Sequence, residues 1–104
     1  PHVVPPVVTI HHVGSTAVPG LAGKPIVDLL LGVVALEVAA AVAVRLETLG
    51  YENFGRVFIA ERYYLRRRGE RSFNVAIAAT DSGFFETQLA VRDYLRAHPD
   101  AAHA

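Results

Sequence analysis

No cysteine occurs in this chain. That absence removes a disulfide framework, a thiolate nucleophile and any thiolate zinc site, and it suits a reducing cytoplasm. Neither sign of charge dominates: ten basic residues cancel ten acidic ones, so nothing draws the whole chain to nucleic acid or to an anionic membrane surface. Nucleic acid is accordingly not an expected partner. No apolar run reaches the roughly 20 residues of a bilayer-spanning helix, and the longest, 33–44, is broken by Glu37. The N-terminus has no charged segment followed by an apolar one, the pattern of a secretion signal. A cytoplasmic protein without membrane contact is expected.

What is present suits one folded domain over residues 1–104. Hydrophobic residues make up 52% and charged residues 19%, far from the composition of disorder and enough for a modest core. Val7 to Val13 is β-branched, lies between Pro5-Pro6 and Gly14, and predicts a strand. Gly14, Pro19, Gly20 and Gly23 force a loop, after which Pro25 to Gly32 predicts a buried strand. Ala35 to Leu49 predicts a helix that stops at Gly50. This helix is apolar nearly all round, which fits either burial on the sheet or contact between subunits of a homo-oligomer.

Tyr51 to Ile59 predicts a strand, with Gly55 and the asparagine before it arguing against regularity. Arg62 to Arg68 and Arg71 to Ala79 predict a hairpin, whose two-residue type II′ turn would be Gly69-Glu70. Thr80 to Gly83 offers capping oxygens, and apolar residues from Phe84 to Leu95 then recur at helical spacing until Pro99. Asp100 to Ala104 reads as the start of a further helix. The order is β-β-α-β-β-β-α, an α/β (α+β) pattern.

Three features point to phosphate chemistry. Gly14, Ser15 and Thr16 follow a strand, where backbone N–H groups and two hydroxyls can cradle an anion, or form no more than a tight loop. Asp28 stands among Ile26, Val27, Leu29 and Leu30, where an unpaired carboxylate costs several kcal/mol, so a partner must meet it. Read as lying at the C-terminal end of a central strand, it could bind Mg²⁺ beside a substrate phosphate, or pair with Lys24 or a hairpin arginine.

Third, Arg62, Arg66, Arg67, Arg68 and Arg71 place half of the ten basic residues in one hairpin. Strand alternation puts Arg62, Tyr64, Arg66 and Arg68 on one face. That row is either a phosphate clamp or a charged edge that deters edge pairing. Asn74 would orient a ligand or satisfy a backbone group. His11, His12 and His98 are assigned structural roles.

The blocks Gly14-Ser15-Thr16-Ala17-Val18-Pro19-Gly20-Leu21, Lys24-Pro25-Ile26-Val27-Asp28, Leu49-Gly50-Tyr51, Arg62-Tyr63-Tyr64 and 91–99 resemble, in order, the GrpB family. The resemblance covers most of the chain. It implies a nucleotidyltransferase-like small mixed β-sheet flanked by helices, in a family known partly as a domain joined to dephospho-coenzyme A kinase. It also implies a chain shortened at both ends.

On this reading Gly14, Ser15, Thr16 and Lys24 hold phosphate, Asp28 holds Mg²⁺ and is the one candidate catalytic carboxylate, and Arg62 and Arg66 neutralise charge. Tyr64 and Asn74 position the rest of a nucleotide or other phosphate-bearing small molecule. Two departures weigh against catalysis. Leu30 stands where the active nucleotidyltransferase pattern has a second acid, and Ala76 stands where the family tends to have histidine. The alternative is a noncatalytic interaction or assembly module that retains the fold.

Overall fold

The structure, a computed structural model, describes residues 7–13 and 26–98. Strands β1 (Thr9–Val13), β2 (Ile26–Val33), β3 (Glu52–Asn53), β4 (Arg62–Arg67) and β5 (Ser72–Ala79) form one sheet in the order β1-β2-β5-β4-β3. Helix α1 (Leu36–Glu47) follows β2, and helix α2 (Gly83–Ala97) follows β5. Only β2 and β5 pair in parallel, a pairing that needs a long crossover, here the segment containing α1. The mixed α+β architecture is the one expected from the sequence.

Alternation along the strands divides the core in two. Leu31, Val33, Leu65, Val75 and Ile77 are buried with Ala39, Val42 and Ala43 of α1. On the opposite face Val13, Leu30 and Ala78 are buried with Phe85 of α2. The alanine- and valine-rich helix is thus half used: its small residues meet the sheet, while Val44 remains exposed.

Gly32 sits where the Phe85 ring of α2 reaches the sheet. A Cβ there would lie 2.6 Å from Thr9 Oγ1, 2.7 Å from Thr80 Cγ2 and 2.8 Å from Phe85 Cε2. Ser82 caps the helix by accepting from Phe85 N–H at 3.1 Å, which fixes the first turn of α2 against that point. Gly32→Ala is therefore expected to cost about 1–3 kcal/mol through overpacking. Urea denaturation would read this as a lower midpoint at unchanged slope, and an unchanged midpoint would show that α2 can retreat freely.

Three expectations are corrected. The strand at Tyr51–Ile59 shrinks to Glu52–Asn53. Asn53 Oδ1 accepts from Gly55 N–H at 2.8 Å, and Gly55 adopts φ 66°. Phe54 N–H donates to Tyr64 O, while Tyr64 N–H donates to Gly55 O, so two residues face one across a bulge. Phe58 then adopts φ 65° inside a three-residue turn closed by Ile59 N–H to Val57 O at 2.8 Å. Extended pairing ends there.

The β4–β5 hairpin has no two-residue II′ turn. Arg67 and Phe73 are its last partners, residues 68–71 form the connection, and positive φ among the described glycines is confined to Gly50 and Gly55. Asp28, finally, is the third residue of β2, near its N-terminal and not its C-terminal end, and β5 is the middle strand. The helix expected from Asp100 lies outside the described residues.

Candidate functional site

Register builds the site. On the face covered by α2, three rows cross the sheet: Val13, Asp28, Asn74 and Arg66; then His11, Leu30, Ala76 and Tyr64; then Thr9, Gly32, Ala78 and Arg62. Phe85 fills the third row against Gly32, and His11 stacks edge-on against it at 5.6 Å between centroids. The first row is left open. Between it and α2 lies a cavity of about 250 Å³ whose wall includes Asp28, Asn74, Arg62, Tyr64, Ala76 and Gln88. Val13, Ile59 and Phe84 supply apolar wall.

Asp28 is met by an amide and not by an ion: Asn74 Nδ2 donates to Asp28 Oδ1 at 2.7 Å. Among the described residues Oδ2 has no hydrogen-bond partner and Asp28 makes no salt bridge. Lys24, its other proposed partner, lies outside the described residues.

Arg62 is half-buried, with its guanidinium carbon 5.0 Å from the Tyr64 ring centroid. Burial pushes its pKa below the ordinary value, an effect partly opposed by the Tyr64 phenol. Arginine nevertheless stays protonated at neutral pH. Its Nη1 is buried and has no hydrogen-bond partner among the described residues. Asp28, whose Oδ2 has no partner among the described residues, and the half-buried Arg62 therefore line one cavity.

The proposed site residues separate into groups. Asp28, Arg62, Tyr64 and Asn74 come together at this cavity. Arg66 shares the face, but its guanidinium lies over Phe54, 4.5 Å from the ring centroid, and it does not line the wall. Gly14, Ser15, Thr16 and Lys24 lie outside the described residues, although Val13, directly before Gly14 in sequence, lines the cavity.

Leu30, in place of the second acid, is fully buried. Ala76, where the family resemblance implies histidine, lies between Leu30 and Tyr64 and lines the cavity. Phe84, Gln88 and Ile59 were not anticipated. Gln88 had a signal: it stands one turn after Phe84 on a helical face that is otherwise apolar.

Among the described residues no three His, Cys, Asp or Glu side chains gather as a metal site. The single carboxylate fits a Mg²⁺ ion that completes its shell with water and ligand phosphate, and does not fit a cage built by protein alone. Among the described residues no helix is long and apolar enough to cross a membrane.

Comparison with known proteins gives this site a context. Residues 2–104 match the family model described as GrpB protein. The chain belongs to the GrpB family. It is 37% identical over 99 residues to UPF0157 protein YqkA of Bacillus subtilis, covering 94% of this chain and 29% of that protein. It is equally 37% identical over 99 residues to UPF0157 protein PA4798 of Pseudomonas aeruginosa, covering 89% of this chain and 40% of that protein.

A crystal structure of conserved protein GrpB from Enterococcus faecalis superposes with a TM-score of 0.79 at 37% identity, over 93% of this chain and 60% of that one. The GrpB chain described here thus spans less than half of those two curated relatives. Its sheet and two helices agree with the nucleotidyltransferase-like layout that the sequence resemblance implies.

Proposed function

We propose that this GrpB chain binds a phosphate-bearing small molecule, with a nucleotide as the leading candidate, in the cavity between Asp28 and Arg62. The observation that carries this reading is that half-buried Arg62 and the Asp28 carboxylate line the same cavity. A half-buried guanidinium beside open volume is a charged donor group, and a phosphate oxygen is a natural acceptor for it. In this reading Gly14, Ser15, Thr16 and Lys24 hold further phosphate oxygens. Tyr64 and Asn74 shape the wall beside them, and Arg66 adds positive charge from outside the cavity.

The cavity of about 250 Å³ is smaller than the roughly 300–1,000 Å³ of pockets that enclose drug-sized ligands. It accounts for the phosphate-bearing end of a nucleotide, leaving the remainder outside. Asp28 Oδ2 would hold Mg²⁺, which supplies charge neutralisation at that phosphate. Buried Leu30 withholds the second carboxylate of a two-metal transfer site, which favours binding over nucleotidyl transfer and keeps the noncatalytic interaction module as a second reading.

Thermal unfolding with ATP, CTP, coenzyme A precursors and inorganic pyrophosphate, each with and without Mg²⁺, tests the proposal. A ligand at a hundred times its Kd contributes about 2.7 kcal/mol, a rise in Tm of about 10–20 °C for a domain of this size. Asp28→Asn should remove the Mg²⁺-dependent part and change the free protein by less than about 1 kcal/mol, since a carboxamide oxygen can still accept from Asn74. No shift with any ligand overturns the proposal. A loss of several kcal/mol in the ligand-free variant would instead mark Asp28 as a structural residue and favour the interaction module.

A further inference from the structure

Asn74 is held from both ends. Arg68 Nη2 donates to Asn74 Oδ1 at 2.8 Å, Arg68 Nη1 donates to Phe73 O at 3.1 Å, and Asn74 Nδ2 donates to Asp28 Oδ1 at 2.7 Å. A guanidinium has donors only. It therefore accepts one orientation of the amide, with the carbonyl oxygen toward Arg68 and the NH₂ group toward Asp28. Arg68 lies just past the end of β4, and its second bond to the backbone of β5 fixes the fork against the strand that carries Asn74.

We propose that Arg68 is a positioning residue for the cation-binding oxygen of Asp28, acting through Asn74. Resting on the ligand reading above, this assigns Asp28 Oδ1 to the relay and Oδ2 to a divalent cation, so that the carboxylate binds through one oxygen. Sequence alternation placed Arg68 with the phosphate-facing row, but its bonds give it a different role. It reaches the cavity only through Asn74 and does not itself line the wall. Groups that orient a metal ligand through a hydrogen bond commonly change metal affinity 10–100-fold when removed.

The two explanations of Arg68 predict opposite signs. Removing a cation near a metal site should tighten metal binding if only the electric field matters. Removing a positioning residue should weaken it. Titrating the full chain with Mn²⁺ alone, followed by electron paramagnetic resonance, separates these outcomes.

Arg68→Ala and Asn74→Ala should each weaken Mn²⁺ binding about tenfold, and the double variant no further. Arg68→Lys, with charge kept but the fork lost, should fall between. Arg71→Ala, which removes an equal charge from the same hairpin at an exposed position, should leave binding unchanged or tighter. Tighter or unchanged binding in Arg68→Ala overturns the proposal.

If the native chain takes up no Mn²⁺, the cation reading of Asp28 fails and the positioning role is decided by NMR. The Asn74 side-chain NH₂ resonances should move and exchange faster with solvent in Arg68→Ala, and stay in place in Arg71→Ala. Unmoved Asn74 resonances in Arg68→Ala would end the claim that Arg68 orients the amide.

Discussion

Leu30→Asp should come close to unfolding the domain, although it nominally completes the acid pair of a nucleotidyltransferase. Leu30 is fully buried among Val13, Ala78 and Phe85, with Ala76 beside it on β5. The substitution loses leucine packing worth about 2–5 kcal/mol and leaves a carboxylate without water in an apolar site. A total near 5 kcal/mol would consume much of the roughly 5–15 kcal/mol that holds a domain folded.

Leu30→Ala separates the packing loss from the charge, and the pH dependence identifies the charge. Burial raises the folded-state pKa of the introduced carboxyl above its unfolded value, so the added penalty is full above that raised pKa. It shrinks as pH falls toward the ordinary carboxylate range. Denaturation followed by circular dichroism across pH would show Leu30→Asp approaching Leu30→Ala in acid. A variant as stable as the native chain at neutral pH would mean that the site can admit a second acid after all, and two-metal transfer would return as a reading.

Residues 46 apart in sequence explain why the site was only partly legible. Strand alternation correctly placed Arg62, Tyr64 and Arg66 on one face of β4, because side-chain period is a local property. That Asp28 faces Asn74 depends on the parallel register of β2 with β5, which no local pattern states. The amide partner of Asp28 was invisible for the same reason, so ion pairs were the obvious guess. Alternation also says nothing about where a long side chain turns. Arg66 folds over Phe54 because the bulge at Gly55 brings that ring beside β4, and Arg68 turns back because the strand has ended.

The fold itself was more readable where polarity and chain breakers agreed. The segments β1, β2, β5 and α2 fall within a few residues of expectation, since each combines an apolar period with a bounding Pro, Gly or cap. The failure at Tyr51–Ile59 has a conformational cause. Its apolar residues suit a strand, but an Asn-to-Gly side-chain bond and two residues at positive φ take the backbone out of extension. The strained turn at Phe58 carries a side chain that is 96% exposed, so packing does not explain it.

Arg62→Met should separate binding from stability more cleanly than any other single change. Methionine keeps much of the length and apolar contact of the arginine stem over Tyr64 while removing the desolvated charge. Losing the charge relieves a buried donor without a partner among the described residues, so the free protein should be as stable as the native chain or slightly more so. Hydrogen bonds to charged groups contribute about 1.5–3 kcal/mol, hence pyrophosphate or nucleotide binding should weaken about 10- to 150-fold.

Arg62→Lys should recover part of that loss, because an ammonium restores charge without the fork that meets two phosphate oxygens. Isothermal titration with pyrophosphate and urea denaturation of the free variants supply the two readouts. The contrast with Arg66→Ala is the sharper control. Arg66 is exposed and lies outside the wall, so its contribution is screened and should fade with added salt, while that of half-buried Arg62 should persist. Retained binding in Arg62→Met, together with a loss of stability, would move Arg62 from the ligand to the scaffold and leave the cavity without its anion-binding group.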